Sequence, residues 1–446
     1  MKSRNKCNAW MMIAGLIFSF SLSAQDSAVH RFSLQQAVDY ATKNNVQVKN
    51  VLLDVQIQRQ TNKDITSAAY PQINGNFSLT DNLKLPVSLV PGDFFGQPGT
   101  YVPLKFGVKY NAIGGIELNQ LLFDGQVFVG LQARKTAIDF FEKNAEVTEE
   151  LIKANIYKIY YQLVLSRTQI ELLDANIARL DKLLHDTREI YKNGFAEKLD
   201  VDKVSVQLAN LQSEKVKAMN QVDNGYLGLK LLMGMPVKDS LVLTDSITYD
   251  QVREGLIDAG GFNYSDRKEY QYAELGIKLN EYNIKRYKLS KIPTVSLNGY
   301  YNKNAQRNSF DFFKGDWFSI SAVTLKVNVP IFHGFSTRAK IDQAKLELQK
   351  SLNQREALKF SIDNDIEAAK NNFRSAIAAL DFAKKNMQLA EDVYDQTKKK
   401  YEAGTGSNLE INAAQTDLKN AQTIYITALY DATIARVDYL KATGKL

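Results

Sequence analysis

The sequence predicts an α+β membrane protein whose strands can close into a barrel only when several chains join, and whose helices wind into long coiled coils. Three observations carry this expectation: a secretory leader with no later apolar span, a unit repeated at an offset of 210 residues, and apolar spacing that switches between strand and heptad periods within each copy.

Lys2, Arg4 and Lys6 precede an apolar run from Ala9 to Leu22, and Leu22-Ser23-Ala24 follows. This is the layout of a signal peptide, with cleavage expected after Ala24. No later stretch approaches the ~18 uninterrupted apolar residues of a membrane-spanning helix. A membrane could then be entered only by a β-barrel, which satisfies its own backbone. Cys7 is the single cysteine and precedes the apolar run. A lipid anchor, a disulfide, a catalytic thiol and a cysteine-ligated metal are therefore not expected of the mature chain. The formal charge of +7 falls once the three basic leader residues are removed. Lys384-Lys385 and Lys398-Lys399-Lys400 keep helical periodicity, so they read as solvated helix faces and no nucleic-acid partner is expected.

The repeat keeps one register. Tyr191, Gly194, Leu199, Leu208, Asn210 and Gly234 recur as Tyr401, Gly404, Leu409, Leu418, Asn420 and Gly444. Leu122-Phe123-Asp124-Gly125 is echoed by Ile331-Phe332-His333-Gly334, and Tyr70-Pro71 by Ile292-Pro293. Each copy reads as helix, two strands, long helix, break, helix. Seven prolines lie in or beside the proposed strands, and Pro236 lies between the copies, so none interrupts a long helix.

The expected division is a signal peptide at 1–24 and a first repeat at 25–234, with strands about 72–90 and 106–123 and a turn at 191–200. A linker or equatorial segment at 235–266 follows, then a second repeat at 267–446 with strands about 293–304 and 317–332 and a turn at 401–410.

In the helices, Ile362, Ile366, Ala369, Phe373, Ala376, Leu380, Ala383, Met387, Ala390, Tyr394, Thr397 and Tyr401 alternate steps of four and three, the heptad seam of a left-handed coiled coil. The first copy repeats it from Ile152 to Thr187 and Tyr191. After the break the seam resumes at Ile411, Ala414, Leu418 and Ala421, matching the stretch from Val201. A helix from Gly125 to Gly194 would be on the order of 100 Å long at ~1.5 Å per residue.

In the strands the period is two. Val108, Tyr110, Ala112, Ile116 and Leu118 alternate with Lys109, Asn111, Glu117 and Asn119, and Leu325, Val327 and Val329 with Lys326 and Asn328. One apolar and one polar face fit a half-solvated sheet or a membrane barrel with a wet lumen. Secretion, and aromatics at strand ends such as Tyr70, Phe106, Phe123, Trp317 and Phe332, favour the barrel. Four strands per chain fall short of the about eight a membrane barrel needs, so the chain is expected to oligomerise.

Two helix, strand, strand, helix units on a secreted chain, with heptad helices broken at Tyr-x-x-Gly followed by Leu-Asp or Leu-Glu, resemble the TolC outer-membrane efflux protein family. The resemblance runs from about Leu34 to Gly444. It implies a homotrimer with one 12-stranded barrel in the outer membrane of a Gram-negative bacterium, continuing into a coiled-coil tunnel in the periplasm. It also implies the partners: outer-membrane lipid, a periplasmic adaptor (membrane fusion) protein and an inner-membrane transporter, in an efflux or type I secretion system. The breaks at 191–200 and 401–410 would be tip turns, with Gly194 and Gly404 reversing the backbone and Leu199 and Leu409 beside them at the docking end.

Members of the family ring the tip aperture with acids and hold it shut through a tyrosine and an arginine reaching an aspartate. By resemblance Tyr401 is that tyrosine, Asp200 the aspartate and Glu410 the first ring acid. Gly406 stands at the arginine position and Ala413 at that of a second ring acid. From the residues alone, Asp200 and Glu410 equally fit acids near a helix N-terminus, where the dipole favours them.

His30, His185 and His333 are far apart and lack metal-ligand spacing, and no phosphate loop or nucleophile elbow occurs. No cofactor and no catalysis are expected. The alternative from a different class is a secreted coiled-coil structural or interaction protein without a barrel.

Overall fold

The computed structural model describes residues 29–253 and 262–446. The expected signal peptide lies outside the described residues, as does part of the 235–266 segment. Among the described residues the chain forms two compact units, one of 29–46, 151–253 and 369–441, the other of 47–150, 262–368 and 442–446. No helix among the described residues is long and apolar enough to cross a membrane.

The helices are α1 (Leu34–Asn44), α2 (Val46–Ser67), α3 (Gly125–Lys192), α4 (Lys198–Met233), α5 (Tyr249–Arg253), α6 (Lys268–Leu289), α7 (Ser336–Glu402) and α8 (Asn408–Ala442). The strands are β1 (Val29–Phe32), β2 (Gln72–Asp81), β3 (Val87–Pro91), β4 (Tyr101–Lys105), β5 (Tyr110–Phe123), β6 (Ser240–Leu243), β7 (Thr294–Arg307) and β8 (Phe318–Asn328). The longest helices, α3 and α7, contain 68 and 67 residues.

In the second unit, β2, β5, β7 and β8 form one antiparallel sheet in that order. Helices anchor its lower end. Asn62 of α2 donates to Arg134 O of α3 at 2.8 Å, and Arg134 reaches back to Thr66 Oγ1 at 2.6 Å. Phe140 of α3 stacks on Tyr272 of α6 at 4.3 Å, and Arg355 of α7 pairs with Glu274 of α6 at 3.0 Å. Gly125 opens α3 where a Cβ would come within 2.9 Å of Leu289, so the strand-to-helix passage requires a residue without a side chain.

Three details depart from the expected strands. The segment 72–90 is not one strand: β2 ends at Asp81, and β3 pairs with β4 in a separate hairpin. Pro86 and Pro91 cannot donate to a ladder, which ends the long pairing there. The strand expected from Trp317 begins at Phe318; the Trp317 indole turns back and donates to Phe312 O at 3.2 Å. The first helix divides at Asn45, whose side chain donates to Leu232 O at 2.6 Å.

In the first unit, β1 and β6 pair in parallel, joining residues some two hundred apart in sequence. The fully buried Tyr160 of α3 donates to Phe32 O at 3.0 Å and accepts from Asp245 N at 3.4 Å, so α3 is pinned to β1 and to the segment just after β6. Burial raises its phenol above the ordinary value. The helices pack through three apolar clusters. Leu173, Leu180 and Leu184 meet Val204, Leu208 and Leu211; Tyr394 meets Ile411, Ala414 and Leu418; Leu380 and Ala383 meet Ile426, Leu429 and Ala432, with Leu165 and Val252. Most of these are heptad positions, joined by Leu165, Val252, Ile426 and Leu429, so the seams contribute more than propensity to holding such long helices together.

Candidate functional site

Two places are candidates for function: the faces of the four-stranded sheet and the turns that end α3 and α7.

Directly paired residues of an antiparallel sheet share a face. One face collects Ile73, Phe77 and Leu79 of β2, Ile116 and Leu118 of β5, Val295 and Leu297 of β7, and Val323, Leu325 and Val327 of β8. Most of these are exposed, Phe77 and Val323 by 71% and 76%. The opposite face collects Asn74, Asn76, Asn119, Glu117, Asn298, Asn302, Thr324 and Lys326. Asn76 Nδ2 donates to Glu117 Oε1 at 2.7 Å across the β2–β5 pair. An exposed apolar face backed by an amide-rich one fits a sheet that meets lipid or another protein surface on one side and water on the other.

The α3–α4 and α7–α8 turns are built alike. Gly194 and Gly404 follow the helix ends with φ of 80° and 73°, the left-handed conformation that glycine adopts without strain. Phe195 N donates to Ile190 O, and Thr405 N to Lys400 O, each at 3.0 Å, closing the last turns. The next helices start in reciprocal caps. Asp200 Oδ2 accepts from Glu197 N at 3.3 Å; Glu410 Oε2 accepts from Ser407 N at 3.4 Å while Ser407 Oγ accepts from Glu410 N at 3.2 Å. Both acids thus occupy the third helical position of a capping box.

The structure brings Tyr401 to Thr187, not to Asp200. The two hydroxyls lie 3.3 Å apart, and no hydrogen bond joins Tyr401 and Asp200 among the described residues. Gly406 cannot accept a side chain as it stands, because a Cβ there would lie 2.9 Å from Tyr401 N. Leu199 and Leu409 are exposed, by 56% and 74%, as is Phe195.

The sequence profile described as outer membrane efflux protein matches residues 265–445. The outer membrane protein TolC of Vibrio cholerae is 21% identical over 443 residues, covering 97% of this chain and 95% of that protein. Along nearly its whole length this chain is similar to the TolC-like outer-membrane efflux proteins. The outer membrane efflux protein BepC of Brucella suis is 22% identical over 98% of this chain and 90% of its own length. The crystal structure of VceC from Vibrio cholerae superposes with a TM-score of 0.72 at 15% identity, covering 92% of this chain and 96% of that one.

This TolC-like chain also contains a buried polar joint that sequence reasoning missed. Asn176 of α3 lies 1% exposed between Gln415 and Gln422 of α8, at 2.9 and 2.8 Å. The signal was available: Gln415 and Gln422 are one heptad apart and sit directly after the seam alanines Ala414 and Ala421. Thr187 was legible as a seam position but not as the partner of Tyr401.

Proposed function

We propose that three copies close a 12-stranded barrel by pairing β2 of one with β8 of the next. The barrel's apolar face would meet outer-membrane lipid and its amide-rich face would line a wet lumen, and the long helices would continue it as a periplasmic tunnel. The observation that carries this is the open sheet itself. Its outer strands, β2 and β8, have an unpaired edge among the described residues, and such edges on an apolar sheet are normally covered. Successive strands in the order β2-β5-β7-β8 alternate in direction, so a β8-to-β2 joint would be antiparallel like the other three.

The conduit is passive. Exported solutes enter from a periplasmic adaptor served by an inner-membrane transporter, in an efflux or type I secretion system, and no catalytic residue is assigned. The adaptor would dock on the tip turns, where Gly194 and Gly404 set the reversal and Leu199 and Leu409 offer exposed apolar side chains. Glu410 would face the aperture, with Asp200 and Tyr401 nearby. The two internal repeats supply quasi-equivalent halves of each subunit.

The test is fractionation followed by mass. Wild-type protein should require detergent for release from outer membranes and then travel as three chains. Recovery as a single chain or from the soluble fraction would overturn the reading in favour of a coiled-coil protein without a barrel.

A further inference from the structure

The α3–α8 joint has an unclosed counterpart on the same chain. Leu172, Asn176, Arg179 and Leu183 form a stripe on α3 with steps of four, three and four. Asn176 at its centre uses its whole amide. Nδ2 donates to Leu172 O and Gln422 Oε1 at 2.9 and 2.8 Å, and Oδ1 accepts from Gln415 Nε2 and Arg179 Nη1 at 2.9 and 3.2 Å. Leu172 packs against the cluster containing Ile426, and Leu183 against Ile411, Ala414 and Leu418.

The sequence offset of 210 carries every member of this joint to a second position. The α3 stripe becomes Phe382, Asn386, Leu389 and Val393 on α7, and Gln415, Gln422 and Ile426 become Ser205, Gln212 and Val216 on α4. The amide hub, one amide partner and the apolar flanks are kept, while Gln415 is replaced by Ser205 and Arg179 by Leu389. The burial is not. Ile426 is 6% exposed and Val216 is 67%; Phe382 and Leu389 are 72% and 62% exposed, and Asn386 and Gln212 are exposed too. Among the described residues the side chains of Asn386, Gln212 and Ser205 make no hydrogen bond. One chain therefore presents both halves of a joint that it does not close itself.

We propose that these halves are the two sides of the helical interface between copies of this chain: α7 of one subunit lies on α4 of the next, and Asn386 takes the partner's Gln212 and Ser205 as Asn176 takes Gln422 and Gln415. This rests on the trimeric reading above and names the contact that sets its register. Different surfaces meeting head to tail generate a ring when the rotation closes. A buried amide hub specifies which heptad meets which, because any slipped register leaves it unpaired.

The mature chain is expected to lack cysteine, so thiol cross-linking has a clean background. Asn386→Cys combined with Gln212→Cys, treated in outer membranes with a short bis-maleimide, should convert the monomer band into cross-linked dimers and trimers. Asn386→Cys with Lys203→Cys, a position whose counterpart Ala413 is exposed rather than in the joint, should stay monomeric on the gel. Protein that remains trimeric in detergent but cross-links no better at 212 than at 203 overturns the joint and leaves the trimer standing. Protein that is monomeric in detergent overturns both. As an independent check, Asn386→Asp with Gln212→Glu should weaken the trimer, and Asn386→Lys with Gln212→Glu should restore it. Equal stability of the two pairs would overturn the assignment.

Discussion

The hydroxyl of Tyr401 lies 3.3 Å from that of Thr187, tying the end of α7 to the last turns of α3 beside the turns that end both helices. Thr187 is fully buried and also donates to Leu183 O, so its orientation is set by its own helix. Asp200, by contrast, is occupied by the start of α4.

Tyr401→Phe removes one neutral hydrogen bond between α7 and α3, about 0.5–1.5 kcal/mol; if that bond holds the proposed aperture shut, opening should become more frequent by roughly 2- to 10-fold. Thr187→Val should do the same. Asp200→Asn should leave opening near wild type while lowering helical stability slightly. Single-channel open probability measures all three, and Asp200→Asn opening the tip as much as Tyr401→Phe would contradict the assignment.

Gly406→Arg should not install a lock. The new Cβ meets the Tyr401 and Lys400 backbone, so the turn must shift first. Gly404→Ala meets no neighbour, and its cost is the left-handed backbone alone, about 1–2 kcal/mol. Thermal melting should therefore rank Gly406→Arg below Gly404→Ala, with both below wild type.

Much of this architecture was legible because its periods are strict. The Ile362–Tyr401 seam is a simple count of threes and fours, and its members Ala376, Leu380, Ala383, Ala390, Tyr394 and Tyr401 lie in the clusters around Leu380 and Tyr394. The alternation around Val108–Leu118 is equally plain, and Ile116 and Leu118 lie on the apolar face. The β1–β6 pair was not legible. Four residues such as Val29–Phe32 carry no period, and their partners lie far along the chain. The role of Asp200 and Glu410 was ambiguous for a physical reason: an acid three residues into a helix caps it whether or not it also lines an aperture. The first strand was expected to run through Pro86 to about residue 90; neither its end at Asp81 nor the separate pairing of β3 with β4 was legible.

Asn176→Leu should be more damaging than its volume change implies. It strands Gln415, Gln422 and Arg179 in or near the helical core, at about 1–3 kcal/mol for each buried group left unpaired. Denaturant unfolding of the helical part should register the loss. Replacing Asn176, Gln415 and Gln422 together with leucine should recover much of it, because only the half-buried Arg179 then loses a partner.

Acid should loosen the α3–α6 contact. Glu146 sits 2.7 Å from Lys143 and 2.6 Å from Lys268. Burial pushes its carboxyl up, but hydrogen bonds and charge from the two ammonium groups outweigh this and hold it below the ordinary value. A carboxyl held down in the folded state contributes stability that is complete above its unfolded value and is lost as pH falls through the folded one. Stability should thus decline below about pH 4, and more gently in Glu146→Gln, as melting temperature against pH would record.

The central claim is that the chain forms a conducting pore, and single-channel current in a planar bilayer tests it most directly. Wild-type protein extracted from outer membranes should insert and give a stable conductance, and Glu410→Ala should change its size or cation preference. Failure of the wild type to insert or conduct would contradict the account, and an unchanged conductance in Glu410→Ala would remove Glu410 from the aperture.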